Sequence, residues 1–246
     1  MKLRSGITAI VAGLLAASAL LYVLLYVLFG NAHDIEFYLL FNIAFLPIQV
    51  VLVALILERL LARHELHQRL HKMNMVIGTF FTELGTQLLG ELTASLANRD
   101  AVVATLNVRA GWKPEDFQRA LTHVAGADFR FDLAQLDLAA LCRRLAAKRD
   151  FIVLLLANPN LLEHERFTDL LWAVSHLAEE LAARPSLEGL TDKDREHLAG
   201  DVKRVYTHLA GEWLRYCRHL QQAYPYIFSI VVRTHPLQAR PCATVV

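Results

Sequence analysis

Histidines at helical spacing are the residues of this chain best placed to do chemistry. His64, His67 and His71 recur at steps of three and four, so on a helix they share one face. Imidazole titrates near neutral pH, which makes such a face either a metal site or a proton sensor. His64-Glu65-Leu66-His67 falls one residue short of H-E-x-x-H, whose histidines must stand at i and i+4, so a zincin site is excluded. A second group, His197, Asp201, Arg204, His208, Glu212, Arg215 and His219, also lies along one helical flank. Acids and bases at this spacing are expected to pair, His197 with Asp201 and His208 with Glu212, each pair stabilising by roughly 0.2–0.5 kcal/mol. Ferritin-like metal sites use Glu-x-x-His pairs on separate helices, and the sequence has none. Glu163, His164 and Glu165 would make an acid/base trio, but a helix start also attracts carboxylates through its dipole, and Glu163 is expected to act there in capping.

No other pattern calls for catalysis or a cofactor. The 11 glycines form neither G-x-G-x-x-G nor G-x-x-x-x-G-K-[ST], and no G-x-S-x-G occurs. The expectation is therefore a protein that is not an enzyme, with no catalytic residue, no resident metal and no cofactor. A formal net charge of +1 gives no basic excess for nucleic acid. Cys142, Cys217 and Cys242 are odd in number and form no C-x-x-C, which fits reduced thiols better than a disulfide framework.

The elements that must position these residues begin with two apolar stretches. Hydrophobic residues make up 55% of the chain, yet no Asp, Glu, Lys or Arg occurs from Ser5 to Ala32 or from Phe37 to Leu57. Ile7–Phe29, at about 1.5 Å per residue, would extend roughly 34 Å, enough for a hydrocarbon core of about 30 Å. Its apolar core is too long for a signal peptide, and no A-x-A site closes it. The spacing predicts two transmembrane helices, residues 7–29 and 37–57, lying antiparallel around an outer turn at 30–36. Lys2, Arg4, Arg59, Arg63, Arg69 and Lys72 flank one side, whereas the turn carries only Asp34 and Glu36. The positive-inside rule then places both termini in the cytoplasm of a multi-pass inner-membrane protein, residues 1–6 forming a short cytoplasmic N-terminus.

If the second span runs on as one helix to about Ala97, Asn42, Gln49, His64, His67, His71, Gly78, Thr82 and Gly85 follow one another along one face. Pro47 is a possible kink in it. Intramembrane amides face protein or a water-filled cavity, and small residues let helices approach closely. This seam is a candidate contact between copies, hence a homo-oligomer, or a candidate pore lining with Asp34 and Glu36 as its outer acidic mouth.

Beyond residue 98 the spacing is helical throughout. A juxtamembrane connecting helix at 58–98 is expected to lead into a separate cytoplasmic helical domain at 99–233, with a flexible tail at 234–246. Gly111 to Pro114 breaks the pattern before a helix at Glu115–Val124, and Gly126 to Asp132 is a turn. One helix is then expected from Leu133 to Ala157, its apolar run Phe151–Ala157 buried. Asn160 with Glu163 should cap the next, whose core face is Phe167, Leu170, Leu171, Val174, Leu177 and Leu181. Thr191 with Asp194 opens the last long helix, with the core stripe Leu198, Val202, Val205, Leu209, Trp213, Tyr216 and Leu220. The fold class is all-α.

The segments HDIEFYLLFNIAFLPIQ from His33, NPNLLEHERFTDLL from Asn158, HLAGDVKRVY from His197 and YPYIFSIVVRT from Tyr224 carry a resemblance. They are similar to an uncharacterised family of bacterial inner-membrane proteins with two N-terminal spans and a cytoplasmic helical domain. The resemblance implies an architecture from His33 to about Arg233 and no activity. The functional expectation is a non-catalytic, membrane-anchored interaction or sensory module, with the lipid bilayer, copies of itself and a cytosolic protein as partners. An oligomeric ion channel lined by the second span is the alternative, and a membrane-tethered enzyme has only scattered His and acid residues in its favour.

Overall fold

The computed structural model describes residues 2–29, 32–161 and 164–244, and they are helical almost throughout. The chain divides into two units, Met1–Leu66 and His67–Val246.

The first unit holds α1 (Lys2–Phe29) and the N-terminal part of α2 (Ala32–Phe80). Helix α2 starts inside the expected outer turn, since residues from Ala32 on are already helical, and Pro47 does not end it. Gly30 and Asn31 lie outside the described residues. Among the described residues one stretch of 26 residues, Glu36–Leu61, is long and apolar enough to cross a membrane, an 18-residue window in it reaching a mean hydropathy of 2.5. Ala16–Leu28 forms only a shorter apolar stretch, so the two-span hairpin reduces here to one candidate span. No side chain between Glu36 and Leu61 is buried.

The second unit is a helical domain that begins earlier than expected. Phe80, Phe81, Leu84, Leu88, Leu89, Leu92 and Leu96 all belong to its core, so residues 77–96 form part of the domain and not a connector before it. Directly after α2 comes a π turn, Phe81–Gly85, followed by α3 (Thr86–Ala94). A π turn accommodates one extra residue in a helix. Here it allows the adjacent Phe80 and Phe81 to be buried together, at 0% and 1% exposure. Phe80 meets the edge of Phe167 at 5.3 Å, and Phe81 stacks on Tyr216 at 4.9 Å and 11°. A Cβ on Gly85 would stand 2.6 Å from the Phe80 ring, so only glycine fits beneath the two aromatics.

Next come α4 (Arg99–Leu106) and α5 (Pro114–Gly126), the latter opening on its proline as its fixed φ favours. The helix expected over 133–157 is instead a 3₁₀ turn, Leu133–Gln135, then α6 (Leu138–Ala147) and α7 (Arg149–Leu156). Two aspartates divide it: Asp132 accepts from the Ala134 amide and Asp137 from the Ala140 amide. Side-chain caps of this kind satisfy amides that a continuing helix would bond. In α7, Ile152 and Leu155 are buried, while Val153 and Leu154 are exposed, so its apolar run is only half core.

The last three helices are α8 (Glu165–Ala182), α9 (Asp192–Ala223) and α10 (Pro225–Thr234). Thr191 caps α9 through the Asp194 amide as expected. The expected cap of α8 differs: Asn160 sits in a 3₁₀ turn, Pro159–Leu161, and the His164 imidazole accepts from the Phe167 amide through Nδ1. Glu163 lies outside the described residues. Helix α9 is the axis of the domain and packs against α8, α5, α10 and α3. Its whole predicted stripe is buried, as is the predicted face of α8.

The segment after α10 is not a loose tail, because His235 and Leu237 are buried. The His235 ring lies 3.3 Å from the Val108 carbonyl through Nε2, within reach of Gln238, and faces Trp213 at 5.4 Å. Burial holds its pKa below the ordinary imidazole value, against the opposing pull of the Val108 carbonyl. A group depressed in the folded state is protonated more readily when unfolded. Its stabilisation is therefore complete above about pH 6.5 and is lost as the pH falls through the folded value, by at most about 1.4 kcal/mol per pH unit. Urea unfolding followed by tryptophan fluorescence should show a midpoint that drops from pH 7 to pH 5, and His235→Gln should flatten that drop. An equal drop in the variant would assign the acid sensitivity elsewhere.

Candidate functional site

Antiparallel packing of α8 on α9 brings two polar pairs, each at i, i+4, to face one another. His176 and Glu180 stand on α8, His197 and Asp201 on α9. Asp201 forms the floor of the cluster, with its side chain only 3% exposed, whereas His176 and His197 are about half exposed at the rim. His197 Nε2 lies 3.4 Å from Asp201 Oδ2 and 3.4 Å from Glu180 Oε2, and His176 Nε2 lies 3.6 Å from Asp201 Oδ1.

Two arginines orient the acids from outside. Arg204 donates to Asp201 Oδ1 at 2.8 Å, and Arg184 donates to Glu180 Oε2 at 2.8 Å. The Arg184 guanidinium holds the Glu180 carboxyl below the usual carboxylate range. Asp201 Oδ2 is buried and has no hydrogen-bond donor, which is costly for a carboxylate oxygen. The expected His197–Asp201 pair is thus present, but Asp201 is not on a solvated flank. It faces a second pair on another helix.

The other half of the flank behaves differently. Glu212 is buried with its side chain 2% exposed, and it accepts from Arg215 at 3.0 Å with Arg166 Nε 3.7 Å away. Arginine, not His208, is its partner. Burial of that carboxylate is compensated by the charge-assisted bond from Arg215 and the nearby Arg166 guanidinium, which marks a structural pair. His219 pairs through Nδ1 with the Asn74 amide at 3.2 Å. His164 is taken up in capping α8, so the Glu163–His164–Glu165 trio has no assembled chemistry among the described residues.

The expected seam is spread over different surroundings. Asn42, Gln49 and Glu36 are exposed in the first unit, and nothing is described of the side chains of Asp34, His64, His67 and His71. In the second unit Gly78 approaches the Tyr216 ring, Thr82 is exposed and bonds the Gly78 carbonyl, and Gly85 is buried beneath Phe80 and Phe81. The small residues therefore form no single exposed face; Gly85 serves the core of its own domain.

Among the described residues, helices throughout, exposed apolar stretches before residue 62 and a His/carboxylate cluster between α8 and α9 define an all-helical class of protein. Residues 2–61 match the family model described as "MJ1433, N-terminal helical domain", and residues 69–233 match "Uncharacterized protein MJ1433, C-terminal helical domain". The chain is 38% identical over 225 residues to "Uncharacterized protein MJ1433" of Methanocaldococcus jannaschii, covering 91% of this chain and 90% of that protein. The chain belongs to the MJ1433 family. That relative is archaeal, whereas the resemblance of the sequence segments is to bacterial proteins, and its description assigns no activity. No solved structure matches the chain.

Proposed function

We propose that this protein is a membrane-anchored helical interaction module, held to a bilayer by its first unit and presenting its second unit to a protein partner. The observation that supports this best is the exposure of Glu36–Leu61. A soluble protein can contain an apolar helix of this length, but it buries that helix in its core. Here an 18-residue window reaches a mean hydropathy of 2.5, and the whole 26-residue stretch is exposed. At about 1.5 Å per residue it is ample for a hydrocarbon core of about 30 Å. The apolar residues of α1 are the other span of this reading, the first in chain order, which with the basic residues on one side puts both termini in the cytoplasm. Large apolar side chains left exposed on the second unit, among them Leu154, Trp172 and Tyr226, support a docking role for it.

The full chain is expected to stay in the membrane fraction after an alkaline carbonate wash, and removal of residues 2–61 to release it into the soluble fraction. Release of the full chain by carbonate would overturn the anchoring. Its size in mild detergent separates the two modes of action: a monomer or dimer fits a docking module, whereas a ring of four or more would favour the pore.

A further inference from the structure

We propose that Glu180, His197 and Asp201, with His176 beside them at the rim, form a binding site for a divalent first-row transition-metal cation, of the zinc class. Four groups of metal-ligand type converge from two helices, and three of them, Glu180, His197 and Asp201, offer donor atoms all within 4.8 Å of one another. Two ligands about 2.1 Å from one ion in a tetrahedron stand about 3.4 Å apart. His197 Nε2 has that separation from both Asp201 Oδ2 and Glu180 Oε2.

The second, independent observation is the state of Asp201. Its side chain is 3% exposed and its Oδ2, aimed at His197, is buried without a hydrogen-bond donor. Buried carboxylate oxygens in folded proteins ordinarily find a hydrogen-bond partner. A cation between Asp201 Oδ2, His197 and Glu180 supplies the missing partner. Arg204 on Oδ1 then fixes the carboxylate plane from behind, the usual task of a group one layer out from a metal. The donor set sets the class of ion. An imidazole with two carboxylates, and a second imidazole beside them, suits zinc, cobalt, nickel or iron, whereas calcium and magnesium prefer oxygen throughout. Half-exposed histidines at the rim leave the ion open to exchange with solvent.

The site also has a mechanical consequence. It links the C-terminal half of α8 to the first turns of α9, so an occupied site clamps the two helices across the 183–191 connection.

The test uses the full chain in mild detergent, stripped with a chelator and titrated with Zn²⁺ and with Co²⁺ by equilibrium dialysis. About one tight ion per chain is expected, with a Co²⁺ absorption spectrum of nitrogen and oxygen donors and no intense thiolate charge-transfer band. His176→Gln with His197→Gln changes only rim residues and should weaken binding at least about 100-fold. Asp201→Asn should do the same, and the rim double variant decides the matter if the buried change prevents folding. Replacement of His64, His67 and His71 by Gln should leave the tight site intact, and Zn²⁺ should raise the melting temperature of the parent but not of the rim variant. Absence of a tight ion, a thiolate spectrum, or affinity unchanged in the rim variant would overturn the proposal. None of these outcomes depends on membrane anchoring.

Discussion

A fragment spanning residues 67–246 is expected to melt cooperatively as a helical domain, whereas one spanning residues 99–232 is expected to show no cooperative transition. The second unit starts at His67, and the shorter fragment removes Phe80, Phe81, Leu84, Leu88, Leu89, Leu92 and Leu96 from its core. It also loses Leu237 and His235, which close the core after α10. Each fully buried Leu or Phe contributes about 1.5–3 kcal/mol relative to exposure. The summed loss is as large as or larger than the roughly 5–15 kcal/mol that holds a whole domain together. The shorter fragment also exposes the aromatic face of α9, since Trp213 and Tyr216 both pack on Phe81. Circular dichroism during heating distinguishes the two outcomes. If both fragments melt with similar sharpness, the residues before Arg99 are an appendage and the core assignment fails.

The parts of this domain that could be read from sequence are those governed by a long, uninterrupted period. Helix α9, 32 residues long, carries its apolar stripe from Leu198 to Leu220, and Thr191 with Asp194 marks its start, so its start and its buried face follow from spacing alone. Short elements resist the same reading. Leu133–Ala157 has helical spacing throughout, yet Asp132 and Asp137 offer local caps that divide it, and whether an aspartate caps or faces solvent depends on what packs nearby. The π turn left no legible mark because an extra residue changes phase without changing composition. It made Gly78, Thr82 and Gly85 look like one face when they occupy three different environments.

The metal cluster was half legible for a related reason. His197 and Asp201 are recognisable as an i, i+4 pair on α9, and in isolation such a pair is a weak surface interaction. What changes its meaning is His176 with Glu180, on another helix, brought opposite by the register of α8 on α9. That register comes from the packing of α8, whose face Phe167, Leu170, Val174 and Leu177 is buried, against α9, a tertiary result that no single-helix pattern contains. Burial of Asp201 follows from the same packing.

Phe81→Ala should destabilise the second unit by about 3–5 kcal/mol, whereas Tyr216→Phe should cost less than about 1.5 kcal/mol. Phe81 is 1% exposed, stacks on the Tyr216 ring and meets Trp213 edge-on at 5.7 Å. Truncation to Ala removes the ring from both contacts and leaves a cavity that the π turn cannot close by a small shift, because Gly85 already lies against the Phe80 and Phe81 rings. Tyr216→Phe keeps the ring and its stacking and removes only a hydroxyl. Burial raises the Tyr216 pKa to about 12, so the phenol is neutral at physiological pH and no charge is lost with it. The difference between the two variants isolates the stacked rings from the polar atom at their edge. For a domain of this size the larger change corresponds to a fall in melting temperature of about 10 °C. Chemical denaturation should give that change at an unaltered slope, since the unfolded surface is nearly the same. A Phe81→Ala cost below about 1 kcal/mol would mean that the π turn is not packed into the core, and that α2 and α3 do not enter the domain as one continuous buried element.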